Sequence, residues 1–88
     1  MVRRRVVIHG RVQGVFFRDT VRRKAESRGV AGWVTNRPDG AVEAVFEGEA
    51  DEVESMLRFA REGPERAEVE RVEVAEEEPE SLRGFAVR

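Results

Sequence analysis

Val6-Val7-Ile8-His9-Gly10-Arg11-Val12-Gln13-Gly14-Val15-Phe16-Phe17-Arg18 passes from a β-branched run, through a loop with glycines at 10 and 14, into a helical pattern. A short apolar run closed by glycine predicts a strand, and the residues after Gly14 predict a helix. Exposed amides in such a turn can surround an anion, and the helix N-terminus adds a favourable dipole. Arg18 adds a forked cation. The run therefore reads as a cradle for phosphate or carboxylate.

Moving outward, Phe16 to Arg28 carries Phe17, Val21 and Ala25 on one helical face, with Arg22, Arg23, Lys24 and Glu26 on the wet one. Gly29 stops the helix. Gly32 to Asn36 predicts a second strand, and Pro38-Asp39-Gly40 a hairpin turn. A third strand alternates Val42, Ala44 and Phe46 with Glu43, Val45 and Glu47, leaving one polar face. Asp51 with Glu54 predicts a capping box for a second helix, whose apolar face is Val53, Met56, Leu57 and Ala60. Gly63-Pro64 ends it.

Val69, Val72 and Val74 shift phase once, which predicts a bulge in a fourth strand. Residues 76–80 read as a solvated connector, and Phe85-Ala86-Val87 as a short final strand. The order βαββαβ plus a terminal strand predicts an α+β fold. It is the ferredoxin-like two-layer sandwich, an open sheet with two helices on one face. One domain is expected over residues 1–88.

The chain has no cysteine, which excludes a disulfide framework and a thiolate metal site. No apolar run approaches the ~20 residues of a membrane span, and the apolar stretch after Arg5 is too short for a signal peptide. A cytoplasmic protein is the default. Net charge is −2, yet residues 1–37 carry +8 and residues 38–88 carry −10. The basic half holds the cradle, so its field favours an anion. A basic helix facing an acidic hairpin would produce the same asymmetry.

Arg supplies fifteen of the sixteen cationic side chains, and Glu fifteen of the eighteen acids. Such a surface suits the ion-pair networks of thermostable proteins, although a GC-rich genome also favours Arg.

The stretch from Gly10 to Arg18 resembles the first signature of the acylphosphatases. Gly32-Trp33-Val34-Thr35-Asn36, with Gly40, Val42 and Gly48 at the following offsets, resembles their second. The match is close from Val6 to Gly48 and general beyond it. Thr35 departs from the pattern, standing where the family more often has a long or basic side chain. It alternates away from Asn36, so little effect on the chemistry is expected.

The resemblance implies hydrolysis of a carboxylic–phosphoric anhydride to a carboxylate and inorganic phosphate, with no cofactor and no metal. The expected phosphate-binding loop comprises Arg11, Val12, Gln13, Gly14, Val15, Phe16, Phe17 and Arg18. Arg18 would clamp the phosphoryl oxygens and follow their charge into the transition state. Asn36 would hold the attacking water in line. A carboxylate leaving group makes a strong general base unnecessary, since positioning and electrostatics carry most phosphoryl-transfer catalysis.

Other residues are given quieter roles. His9, Gln13 and Trp33 are expected to be structural, Gln13 by bonding within the loop. Arg3-Arg4-Arg5 and Arg22-Arg23-Lys24 are expected to be solvated faces. The expected partners are an acyl phosphate and phosphate, with no nucleic acid and no membrane, and the expected state is a monomer.

Rival functions meet specific obstacles. RNA-binding modules of this topology carry stacking aromatics on the open sheet, where this chain has glutamates and no tyrosine. A nucleotide-binding P-loop needs Lys and Ser or Thr after its glycine, and Val15-Phe16 follow Gly14. A non-catalytic anion-binding or regulatory domain of the same fold stays open as the alternative; retention of both Arg18 and Asn36 favours the enzyme.

Overall fold

The structure is a computed structural model that describes residues 1–88. Its elements are β1 (Val2–Arg11), α1 (Phe17–Ser27), β2 (Ala31–Asn36), β3 (Val42–Gly48), α2 (Ala50–Glu62), β4 (Glu68–Glu77) and β5 (Phe85–Val87). The strands form one sheet in the order β4-β1-β3-β2-β5. All neighbours are antiparallel except β2 and β5, which are parallel. This is the expected ferredoxin-like sandwich with its extra terminal strand.

Both helices cover one face of the sheet. Phe17, Val21 and Ala25 of α1 and Val53, Met56, Leu57 and Ala60 of α2 close over Val6, Ile8, Val34, Val42, Ala44 and Phe46. These are the residues that the two periodicities, 3.6 and 2, place on the inner surfaces. Burying each large aliphatic or aromatic side chain contributes roughly 1.5–3 kcal/mol, so this cluster holds the two layers together.

The opposite face corrects three expectations. β1 begins at Val2, so Arg3 and Arg5 lie within a strand and do not form a solvated face; Arg3 is only 4% exposed. Its guanidinium meets Glu47 at 2.9 Å and Glu77 at 2.8 Å. The third strand has no open polar face, because Glu47 is 1% exposed. Residues 76–80 are not simply a connector either: Glu76 and Glu77 complete β4, and Glu77 also takes the Arg5 Nε at 2.6 Å. The register explains all three, since it sets Arg3 opposite Glu47 and Glu77. Much of the charge asymmetry is thus resolved strand to strand.

The chain after β4 crosses this face and is pinned there. The amides of Glu80 and Leu82 donate to the Glu47 carboxylate at 2.8 and 3.0 Å. Nearby, Trp33 lies between two guanidinium groups, Arg5 at 5.4 Å and Arg88 at 4.5 Å from the ring centroid.

Two local details separate expectation from structure. The helix α2 starts at Ala50 with Glu49 as its N-cap and no side-chain cap, so Asp51 lies inside the first turn and makes no capping box. There its charge still favours the positive end of the helix. The bulge is where the phase shift put it. Gly10 pairs with Val69 and His9 with Arg71, leaving Glu70 as the extra residue. Gly10 is required by this close approach: at φ 130°, an added Cβ would lie 2.1 Å from the Glu68 carbonyl oxygen.

Candidate active site

Where β1 ends, the chain does not continue its ladder. The amides of Val12, Gln13, Gly14, Val15 and Phe16 donate to no protein acceptor. Those of Phe17, Arg18 and Asp19 open α1, where no carbonyl precedes them at helical spacing. Gly14 turns the loop at φ 74° and Phe16 completes it in the left-handed region at φ 60°. Phe16 is the N-cap of α1 and supplies no side-chain cap. Its carbonyl takes the Thr20 amide at 3.1 Å and hydroxyl at 2.8 Å. The result is a run of unpaired donors at the positive end of a helix.

These donors border a cleft of about 430 Å³ lined by Val12, Gly14, Phe16, Phe17, Arg18, Asp19, Arg22, Asn36 and Val87. Arg18 and Asn36, predicted from separate motifs, meet here because β1 and β2 run parallel on either side of β3. Their loop ends therefore emerge at one edge of the sheet. Asn36 follows Gly32 and Val34 on the helix-covered face, and its Oδ1 is shielded from solvent with no hydrogen-bond partner in the protein. A buried acceptor left open is costly, so it marks a place where a donor is wanted.

Arg18 is oriented as well as placed. Its Nη1 donates to the Arg88 carbonyl at 3.0 Å, and the Arg88 amide donates to Val34 of β2 at 2.9 Å. Thr35 faces away from Asn36, yet its hydroxyl donates to that same Arg88 carbonyl at 3.3 Å.

The remaining loop residues divide. Gln13 reaches across to the hairpin, with Nε2 donating to the carbonyls of Arg37 at 2.8 Å and Ala41 at 3.0 Å. It bonds structurally as expected, but to the hairpin rather than within its own loop. Val15 packs against the edge of the core. The Arg11 side chain turns outward toward Glu68 and the Arg66 carbonyl, both at 3.4 Å, so it does not line the cleft. His9 bonds Glu73 on the far face of the sheet.

Three lining residues escaped the sequence reading. Arg22 and Asp19 belong to the cleft rather than to a plain solvated face. The signal for Arg22 was available, since it lies four residues after Arg18 on one helical face. Arg22 donates to Asp19 at 2.9 Å, and with Arg23 it holds that carboxyl below the usual carboxylate range. Val87 arrives from β5, seventy residues on from Phe17, and no local pattern announces it.

A family model described as Acylphosphatase matches residues 4–87. The chain is 63% identical over 86 residues to an acylphosphatase of Rubrobacter xylanophilus, covering 96% of this chain and 77% of that relative. It is 55% identical to one from Haloarcula marismortui, covering 98% and 94%. The crystal structure of acylphosphatase from Bacillus subtilis superposes with a TM-score of 0.96 at 36% identity, covering 100% of this chain and 99% of that one. A donor-lined cleft between two motifs, a family model that spans nearly the whole chain and a fold shared from end to end with the Bacillus structure leave one conclusion: this chain belongs to the acylphosphatase family.

Proposed function

We propose that the protein hydrolyses acyl phosphates to a carboxylate and inorganic phosphate, at the cleft between the 11–18 loop and Asn36. The observation that carries this reading is the run of unpaired amides leading into α1, with the Arg18 guanidinium beside it. The amides and Arg18 bind the phosphoryl oxygens. Their donors are fixed before substrate arrives, so little reorganisation is needed as charge shifts during reaction.

The side-chain amide of Asn36, which borders the cleft, holds the water and aims it at phosphorus. Attack forms the new P–O bond as the P–O bond to the carboxylate breaks. The proton of the water passes to a phosphoryl oxygen, and the bonding pair leaves with the carboxylate. Arg18 stabilises the oxygens throughout, and its contact with the Arg88 carbonyl keeps the guanidinium in place.

We read the reaction as one that uses no metal. We further read the protein as a thermostable cytoplasmic monomer, one domain over 1–88. The single core cluster and the ion pairs of Arg3 and Arg5 support the single domain and the thermal stability. No helix is long and apolar enough to cross a membrane.

The test is hydrolysis of benzoyl phosphate by purified protein. Turnover should be insensitive to EDTA and inhibited competitively by inorganic phosphate, in a protein that melts above roughly 80 °C. Phosphate binding with no turnover above background would instead establish the non-catalytic domain of the same fold.

A further inference from the structure

Phe16 combines two unfavourable features that the core does not explain. It adopts φ 60°, a region that bulky residues rarely enter, and it is 77% exposed. Glycine would serve the backbone better there, and a polar residue would serve the surface better. Strain and exposure at one residue beside a ligand cleft point to a functional contact. A second exposed apolar side chain, Val87 at 42%, lines the same cleft from a different element.

The cleft is therefore lined by two kinds of chemistry: Arg18, Asn36 and unpaired amides on one hand, and the exposed apolar side chains of Phe16 and Val87 on the other. A volume of about 430 Å³ lies in the range of sites that enclose a small organic molecule rather than an inorganic anion alone. The remaining cation on the rim, Arg22, is engaged by Asp19 at 2.9 Å and approached by Glu26 at 3.9 Å. An acyl group bearing its own carboxylate would find no unpaired partner there and would lose hydration.

We propose that Phe16 and Val87 form an acyl subsite that selects acyl phosphates with an apolar, aromatic or branched acyl group. The inference rests on the reading of this cleft as an acyl phosphate site. The phosphoryl end is held by the loop and the acyl end lies against the Phe16 ring and the Val87 methyl groups. Phe16 accepts its strained backbone because its position, at the turn from loop to helix, projects the ring over the mouth.

The experiment measures kcat/KM for acetyl, benzoyl and para-carboxybenzoyl phosphate with the wild type, Phe16→Gly and Val87→Ala. The wild type should prefer benzoyl over acetyl by about tenfold, and benzoyl over para-carboxybenzoyl by a similar factor. The benzoyl-to-acetyl ratio should fall about tenfold in Phe16→Gly and about threefold in Val87→Ala, whatever happens to the absolute rates. Glycine relieves the backbone at position 16, so strain cannot account for a changed ratio, and Val87→Ala provides an independent reading.

Equal kcat/KM for acetyl and benzoyl phosphate in the wild type, or ratios unchanged in both variants, would overturn the subsite while leaving the hydrolase intact. Absence of turnover on all three substrates would overturn the hydrolase reading and the subsite with it.

Discussion

Gln13 is tied to Arg37: the side-chain amide of one donates to the backbone carbonyl of the other at 2.8 Å, with the Ala41 carbonyl taking the second N–H at 3.0 Å. This joins the loop after β1 to the hairpin after β2, and so joins the binding donors to Asn36. Gln13→Glu replaces both donors by acceptors facing two carbonyls. We expect a loss of about 2 kcal/mol in stability. A fall of about tenfold in kcat should accompany it, larger than any change in the phosphate inhibition constant, because alignment is what the clamp provides. An unchanged kcat in the folded variant would show that the two halves of the cleft hold their register without it.

Arg18 and Asn36 should fail differently. Arg18→Ala should weaken inhibition by inorganic phosphate and lower kcat/KM by at least about a hundredfold. Asn36→Ala should lower kcat by a similar factor while phosphate inhibition stays near the wild-type value, since in the proposed mechanism Asn36 meets the water rather than the phosphoryl group. Parallel loss of phosphate binding in both variants would contradict this division.

The same change at two glycines should give unequal results. In Gly10→Ala the new Cβ would lie 2.1 Å from the Glu68 carbonyl oxygen and 2.9 Å from the Glu70 amide nitrogen, so β1 and β4 must part at the bulge. A loss of roughly 3 kcal/mol is expected. At Gly14 nothing lies within 4 Å, and only φ 74° opposes the substitution, so about 1 kcal/mol is expected. Chemical denaturation of the two variants checks the order, and a larger loss at Gly14 would refute it.

Glu47 should govern part of the acid sensitivity. Burial alone would raise its pKa, but the amides of Glu80 and Leu82 and the Arg3 guanidinium more than offset that and hold it below the usual carboxylate range. A carboxyl depressed in the folded state contributes stability in full above its unfolded value, about 4.3. That stability is lost as pH falls through the lower folded value. Glu73, Glu77, Asp19 and Asp39 are depressed in the same direction. Glu47→Gln should cost about 3 kcal/mol at neutral pH, leaving Arg3 without its buried counter-charge, and should flatten the stability profile below pH about 4. A profile as steep as the wild type's would assign the acid sensitivity to the other carboxyls.

What was legible in the sequence was what neighbours along the chain determine. The apolar faces of both helices, the hairpin at Pro38-Asp39-Gly40 and the bulge near Val69 each declare themselves within a few residues. The loop after β1 and the strand end at Asn36 were singled out from two local motifs, and both border the cleft. What was missed depends on register. Arg3 and Arg5 look like a solvated face until the register sets Glu47 and Glu77 opposite Arg3 and brings Glu43 and Glu77 within reach of Arg5, and a one-residue slip would send them to the other face. Asp51 failed as a cap because extended backbone at Glu49 (φ −64°, ψ 144°) starts the helix earlier than side-chain preference suggests. Val87 and Arg88 reach the cleft only through the parallel pairing of β5 with β2.

That last pairing bears on how activity is acquired. Arg18 is steadied by a residue seventy positions further along the chain, so the cleft has no local precursor. A chain with its first hairpin and both helices in place would still lack Val87 beside the cleft and Arg88 behind the guanidinium. Closing so distant a contact is slow relative to forming the elements it joins. During refolding, catalytic turnover should therefore lag the recovery of helical signal and return with docking of β5, making the enzyme's own reaction a clock for the final step of assembly.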